Sequence, residues 1–282
     1  MDRIAGWPCG AGWPGTIPKT RVDIVTTFFD THAHLAEMVF VDDLEAIYLR
    51  ALDVGVSDVL VVGTDVVTSR RAVSIAERFD GWVAAVGVHP HECDCWNRAA
   101  ARELRRMAGH PKVRAIGEIG LDHHRELQPR DRQMRAFADQ CLLAMEVSLP
   151  IVIHSREALG SVAGILERSP GICGVLHSYT GDAAMIPMFS GLGLYISLSG
   201  IVTFPREDSL RATAAHIPLD RLLIETDAPF LSPNPLRGRR NEPSHLLHTA
   251  TVVASACGMS IPGLAERTTC NARALFGDRV TV

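Results

Sequence analysis

The sequence predicts a single α/β domain folded as a (β/α)8 TIM barrel, and three observations carry that prediction. Short β-branched runs alternate with helix-length amphipathic stretches along nearly the whole chain. The runs number eight. Side chains with ligand or acid–base chemistry recur where the runs end, which is where barrel enzymes build their sites. Continuous apolar runs, each followed by a helix, imply parallel strands covered on both faces. A doubly wound open sheet would alternate in the same way, but no glycine-rich phosphate loop follows the first run, and the count of eight favours closure.

Taken in order, residues 1–26 carry Gly, Pro and Trp rather than an apolar core, so they make a poor signal peptide and are expected to form an irregular extension. The barrel domain is expected over 27–282. Its strands are predicted at 27–30, 58–62, 82–88, 113–118, 150–154, 174–177, 194–198 and 222–225. Helical periodicity falls between them at 42–54, 69–79, 99–108, 130–147, 158–168, 182–192 and 209–216. After a Pro/Gly-rich loop come 244–258 and a further helix at 261–276.

A length of 282 residues with 47% hydrophobic content suffices for one large core. The net charge of −4 weighs against a protein that coats nucleic acid by bulk electrostatics, yet leaves room for a few arginines at one cleft. Seven scattered cysteines, an odd count, argue against a disulfide framework. Cys93 and Cys95 lack the spacing of a zinc ribbon or redox pair, and a reducing cytoplasm is the expected compartment. No stretch is long and apolar enough to span a membrane, so no membrane partner is expected.

The chemistry sits at the strand ends. In Phe29-Asp30-Thr31-His32-Ala33-His34, alternate side chains of an extended backbone point the same way, so His32 and His34 can present two imidazoles to one metal. Glu118 ends a buried run, where a lone charge is prohibitively costly. It must either pair with an arginine such as Arg156 or bind a cation, and its two oxygens could bridge two metals about 3.5–4 Å apart. His154 and His177 repeat one pattern, an imidazole at the exit of an apolar run, and with Glu118 they form a second metal site. Because a barrel closes, the eighth strand neighbours the first, and Asp227 therefore joins His32 and His34 as a ligand or as proton acceptor for the attacking water. Glu225 reads as support for a ligand or as a weaker extra contact.

On the motifs FDTHAHL, GVHPH, AIGEIGLD, IVIHSRE, VLHSYTG, GLYISLSGIVTF, LIETDAPFLSP and RGRRNEPSHL, the sequence resembles the TatD family of metal-dependent deoxyribonucleases, among the amidohydrolase-like barrels. The resemblance runs from Phe29 to about Phe276. It implies one divalent metal on His32, His34, Glu118 and Asp227 and another on Glu118, His154 and His177, with Glu118 as the bridging group. It also implies hydrolysis of phosphodiester bonds in DNA or another nucleic acid, often exonucleolytic. Arg237, Arg239 and Arg240, in the loop after the eighth strand, are candidates to clamp phosphate oxygens, and His89 is a candidate to touch the scissile phosphate or leaving group. Where relatives often carry aromatics after GLD, this chain has His123-His124, which predicts a weaker grip on bases there.

The expected mechanism is in-line attack on phosphorus by a metal-activated water, with Glu118, Asp227 and His89 as the catalytic set. Four imidazoles favour Zn, Mn, Fe or Ni, while the carboxylates accommodate Mg. The rival readings are hydrolysis of another ester on the same site, such as aminoacyl-tRNA, a small phosphoester or a lactone, and a metal-binding protein without catalysis.

Overall fold

A computed structural model describes residues 26–277; the predicted N-terminal extension up to residue 25 lies outside them. Eight parallel strands lie side by side in sequence order. They are β1 Phe28–Ala33, β2 Val56–Val62, β3 Trp82–Val86, β4 Val113–Asp122, β5 Ile151–Arg156, β6 Gly174–Leu176, β7 Leu194–Leu198 and β8 Leu222–Ile224. Each is followed by a helix: α1 Leu44–Asp53, α2 Val66–Arg78, α3 Arg98–Ala108, α4 Arg130–Glu146, α5 Leu159–Leu166, α6 Ile186–Gly191, α7 Asp208–Ala214 and α8 Leu246–Ala256, with α9 Ile261–Phe276 at the end.

Alternation along the strands sorts the side chains into two cores. The larger lies between sheet and helices and is anchored by the fully buried Trp82, which packs on Tyr48 and Phe79. The smaller holds Phe29, Leu60, Val62, Ala85, Ala115, Val152, Val175 and Leu223, with Phe276 of α9 packed against Phe29. His154, His177 and Glu225 each lie two residues beyond a member of this inner set, so the inner face of the sheet carries straight into them.

The seam between β8 and β1 is closed by a short bridge and a set of side-chain bonds. Ala33 pairs with Ala228, the Asp227 N–H donates to His32 O at 2.9 Å, and the His34 N–H donates to Ala228 O at 2.7 Å. Buried Asp30 accepts from the Thr226 N–H at 2.9 Å and from the Thr226 hydroxyl at 2.5 Å. The Thr31 hydroxyl donates to Ile224 O at 3.0 Å. Asp227 itself adopts a positive φ of 60°, a conformation few residues other than glycine hold without support from their surroundings.

β4 runs to Asp122, beyond the predicted end at Glu118, because its second half pairs with β5 through Gly120–His154 and Asp122–Arg156. Between Ile116 and Ile119 the register shifts, so Gly117 and Glu118 together face Val152. That bulge turns the Glu118 side chain into the barrel mouth. Gly117 is needed there, since a Cβ would sit 2.5 Å from Val152 Cβ; at Gly120, with φ of 135°, one would sit 2.1 Å from His154 O. β3 stops before its predicted end because Gln140 of α4 takes over the Val88 backbone, accepting from its N–H at 2.8 Å and donating to its carbonyl at 2.9 Å.

Asp30→Ala strands the buried donors of Thr226 and is expected to cost about 3 kcal/mol or more of stability in chemical denaturation. Metal retention should fall with it, because the bonds it removes position the backbone on both sides of the seam.

Candidate metal centre

Six predicted ligands converge at the C-terminal end of the barrel. His32 and His34 leave β1 with their Nε2 atoms 3.1 Å apart. Glu118 Oε2 lies 3.5 Å from His32 Nε2 and 3.4 Å from His34 Nε2. Its other oxygen, Oε1, lies 2.9 Å from His154 Nδ1 and 2.8 Å from His177 Nε2. Asp227 Oδ1 stands 3.7 Å from His32 Nε2 and 3.4 Å from His34 Nε2. Among the described residues no arginine pairs with Glu118, and its partners are imidazoles.

His89 adds a seventh side chain to the cluster, with Nε2 at 3.5 Å from Glu118 Oε1. Its Nδ1 accepts from the His91 N–H at 3.1 Å, which fixes the ring with Nε2 inward. Groups that could each hold a cation are His32–His34–Asp227, His32–Glu118–His177 and His89–Glu118–His154.

The donor set fits a metal. Glu118 is 2% exposed and His32 fully buried, yet among the described residues Glu118 Oε2 and Asp227 Oδ1 have no hydrogen-bond partner. Nitrogens of His154 and His177 approach to 3.2 Å. Carboxylate oxygens and imidazole nitrogens crowded this closely need protons or cations between them.

Electrostatics decides which protons stand in. Burial opposes the charge on His177 most, but Glu118 and Glu225 together outweigh it and hold that imidazole well above its ordinary value. Burial likewise pushes Glu118 up, and His177, His89 and His154 overturn it, holding the carboxylate well below the usual range. His89, with burial dominant, is pushed down to about 4. Without a cation, these charges bias Glu118 toward its ionised form and His177 toward its protonated form.

Supporting groups complete the centre. Glu225 Oε1 lies 3.1 Å from His177 Nδ1, leaving Nε2 to face Glu118, the arrangement that orients a ligating histidine. Asp122, at the end of β4, lies 2.8 Å from His91 Nε2 and 3.5 Å from His154 Nε2. Its Oδ1 accepts from the His124 and Arg125 N–H groups at 2.9 and 2.8 Å. Sequence reasoning assigned no role to Asp122 or His91, although each stands inside a quoted motif two or four residues from a named site residue.

The loop arginines divide. Arg240 is committed to Asp43, donates to Val39 O at 2.7 Å and lies over the Phe40 ring at 4.8 Å, so it anchors the loop rather than standing free for phosphate. Arg237 is exposed, with its guanidinium 3.7 Å above the Phe204 ring, and Arg239 is exposed as well. His124 pairs with Glu157 at 2.6 Å on the surface.

Two outcomes follow from this geometry. Metal uptake releases protons, because a raised His177 must give one up; affinity therefore falls as pH falls, and a pH-stat titration at pH 6 and 8 measures both effects. Glu225→Gln leaves the ligands in place but is expected to weaken metal retention by about 10- to 100-fold in a chelator competition.

Comparison with known proteins places this centre in context. Residues 29–277 match the sequence model of the family described as TatD related DNase. A protein of Bacillus subtilis named as the uncharacterized metal-dependent hydrolase YabD is 40% identical over 250 residues, covering 88% of this chain and 98% of that protein. A protein of Pantoea vagans named as the 3'-5' ssDNA/RNA exonuclease TatD is 40% identical over 256 residues, covering 88% and 98%. The crystal structure of YjjV, a TatD homologue from Escherichia coli, superposes with a TM-score of 0.85 at 30% identity, covering 90% of this chain and all of that one. The chain belongs to the TatD-related DNase family.

Proposed function

We propose that the chain is a nuclease that hydrolyses phosphodiester bonds of single-stranded DNA or RNA from an end, with two divalent metals sharing Glu118. The observation that carries this reading is the division of the Glu118 carboxylate: Oε2 faces His32 and His34, while Oε1 faces His154 and His177. The family match and the name of the Pantoea relative support the nucleic-acid substrate. His32, His34, Glu118 and Asp227 would hold one metal, and Glu118, His154 and His177 the other; imidazole-rich sets of this kind favour Zn, Mn, Fe or Ni.

Bound there, such ions supply Lewis acidity toward the phosphate and lower the pKa of the attacking water. The side chains do the rest. Asp227, the carboxylate that stands beside His32 and His34 at the seam, takes the proton of that water. Its backbone bond to His32 holds the carboxylate at the seam. His89, 9% exposed and held neutral by burial, lines the same cluster on the side of Glu118 Oε1 and contacts the phosphate or leaving oxygen. Arg237, stacked on Phe204, keeps its N–H edge free for non-bridging oxygens. The described cysteines are free thiols, the form a reducing cytoplasm maintains, and we place the protein there.

The test is a panel of metal-reconstituted turnover on single-stranded DNA, RNA, duplex DNA, aminoacyl-tRNA and a simple phosphodiester. Single strands shortened from one end are the expected result. Hydrolysis of aminoacyl-tRNA alone, or silence on every ester with metal bound, overturns the reading. Glu118→Ala should abolish turnover and loosen both metals. Asp227→Asn should lower kcat by about 10²- to 10⁴-fold.

A further inference from the structure

Phe230 is exposed by 54%, and among the described residues it is the one aromatic in the set of large apolar side chains open to solvent. It stands three residues after Asp227, on the loop that leaves β8 at the catalytic end of the barrel. Its ring lies edge-on to the ring of His34, with centroids 5.7 Å apart, so it flanks the metal cluster directly. A large apolar ring held open beside a charged centre gains nothing from burial in the fold.

The segment is also stiff. The Phe230 N–H donates to Asp227 O at 2.8 Å, and Asn241 Nδ2 donates to Phe230 O at 2.7 Å. The same Asn241 nitrogen donates to Thr226 O at 2.8 Å, tying the ring's backbone to the barrel seam. Asn241 is fully buried, so this strap is part of the core. Rigid aromatic surfaces beside a phosphate site are the common means of holding unpaired bases, because every base offers a π-face regardless of sequence. A base paired in the interior of a duplex is stacked on both faces and leaves neither free, and a terminal pair is held in plane by its partner strand.

We infer that Phe230 is the stacking platform for the nucleobase next to the phosphodiester under attack. It takes over the grip that His123-His124, with His124 turned outward to Glu157, does not provide. The inference rests on the proposed nuclease activity and deepens it: a ring that selects an unpaired base makes single strands the substrate and leaves base identity unread.

The test compares metal-loaded wild type, Phe230→Ala and Phe230→Trp on two single-stranded oligonucleotides. One is intact and the other lacks the base beside the bond first cleaved. Wild type is expected to prefer the intact strand by about ten- to a hundredfold in kcat/KM, Phe230→Ala to erase that preference, and Phe230→Trp to keep it. Thermal melting checks that the variants are folded. A Phe230→Ala protein with the wild-type preference overturns the platform and leaves the nuclease reading intact. A change in oligomeric state on Phe230→Ala, with the base preference unmoved, overturns it in favour of a second copy covering the ring. Wild type that cleaves neither strand overturns the nuclease reading and the platform together.

Discussion

Glu118 sits 2% exposed in a protein interior, ionised, with imidazoles on both oxygens. Transfer of an unpaired carboxylate into such surroundings is so costly that it would protonate or the site would open. The structure instead surrounds it with His32, His34, His89, His154 and His177. Those five rings come from the ends of four strands, β1, β3, β5 and β6, so satisfying one carboxylate requires the barrel to converge. The bulge that aims Glu118, the glycines that permit the bulge, and the carboxylates behind His154 and His177 all serve this one demand.

A second constraint acts across the seam. Strand pairing between β8 and β1 is reduced to a single bridge, and side chains take over: Asp30 accepts from the N–H and the hydroxyl of Thr226, and Thr31 binds the Ile224 carbonyl. Burial raises Asp30 to about 7, while the Thr226 and His32 groups that donate to it oppose that rise. The same stretch of backbone that closes the barrel sets the φ of Asp227 and the direction of His34. Closure of the fold and geometry of the centre are therefore one set of bonds.

Much of this was legible in the sequence. Strand count, parallel order and the positions of the six ligand-type residues follow from apolar runs and from what terminates them, because the period of two that buries Val152, Val175 and Leu223 also aims His154, His177 and Glu225. Local pattern does not carry the length of β4, which is set by pairing with β5, nor the division of labour among Arg237, Arg239 and Arg240, which depends on where Asp43 and Phe204 lie in space. Asp122 and His91 escaped for a similar reason: their roles are defined by a contact between the loop after β3 and the end of β4.

The Asp30–Thr226 contact joins residues 196 apart in the chain. Synthesis proceeds from the N-terminus, so His32 and His34 emerge from the ribosome long before their partner Asp227 exists. Those two histidines thus wait while seven further strands are made. Until the last strand is made, Asp30 has no Thr226 to bind and Asp227 is missing from the seam, so the barrel cannot close on an unfinished chain.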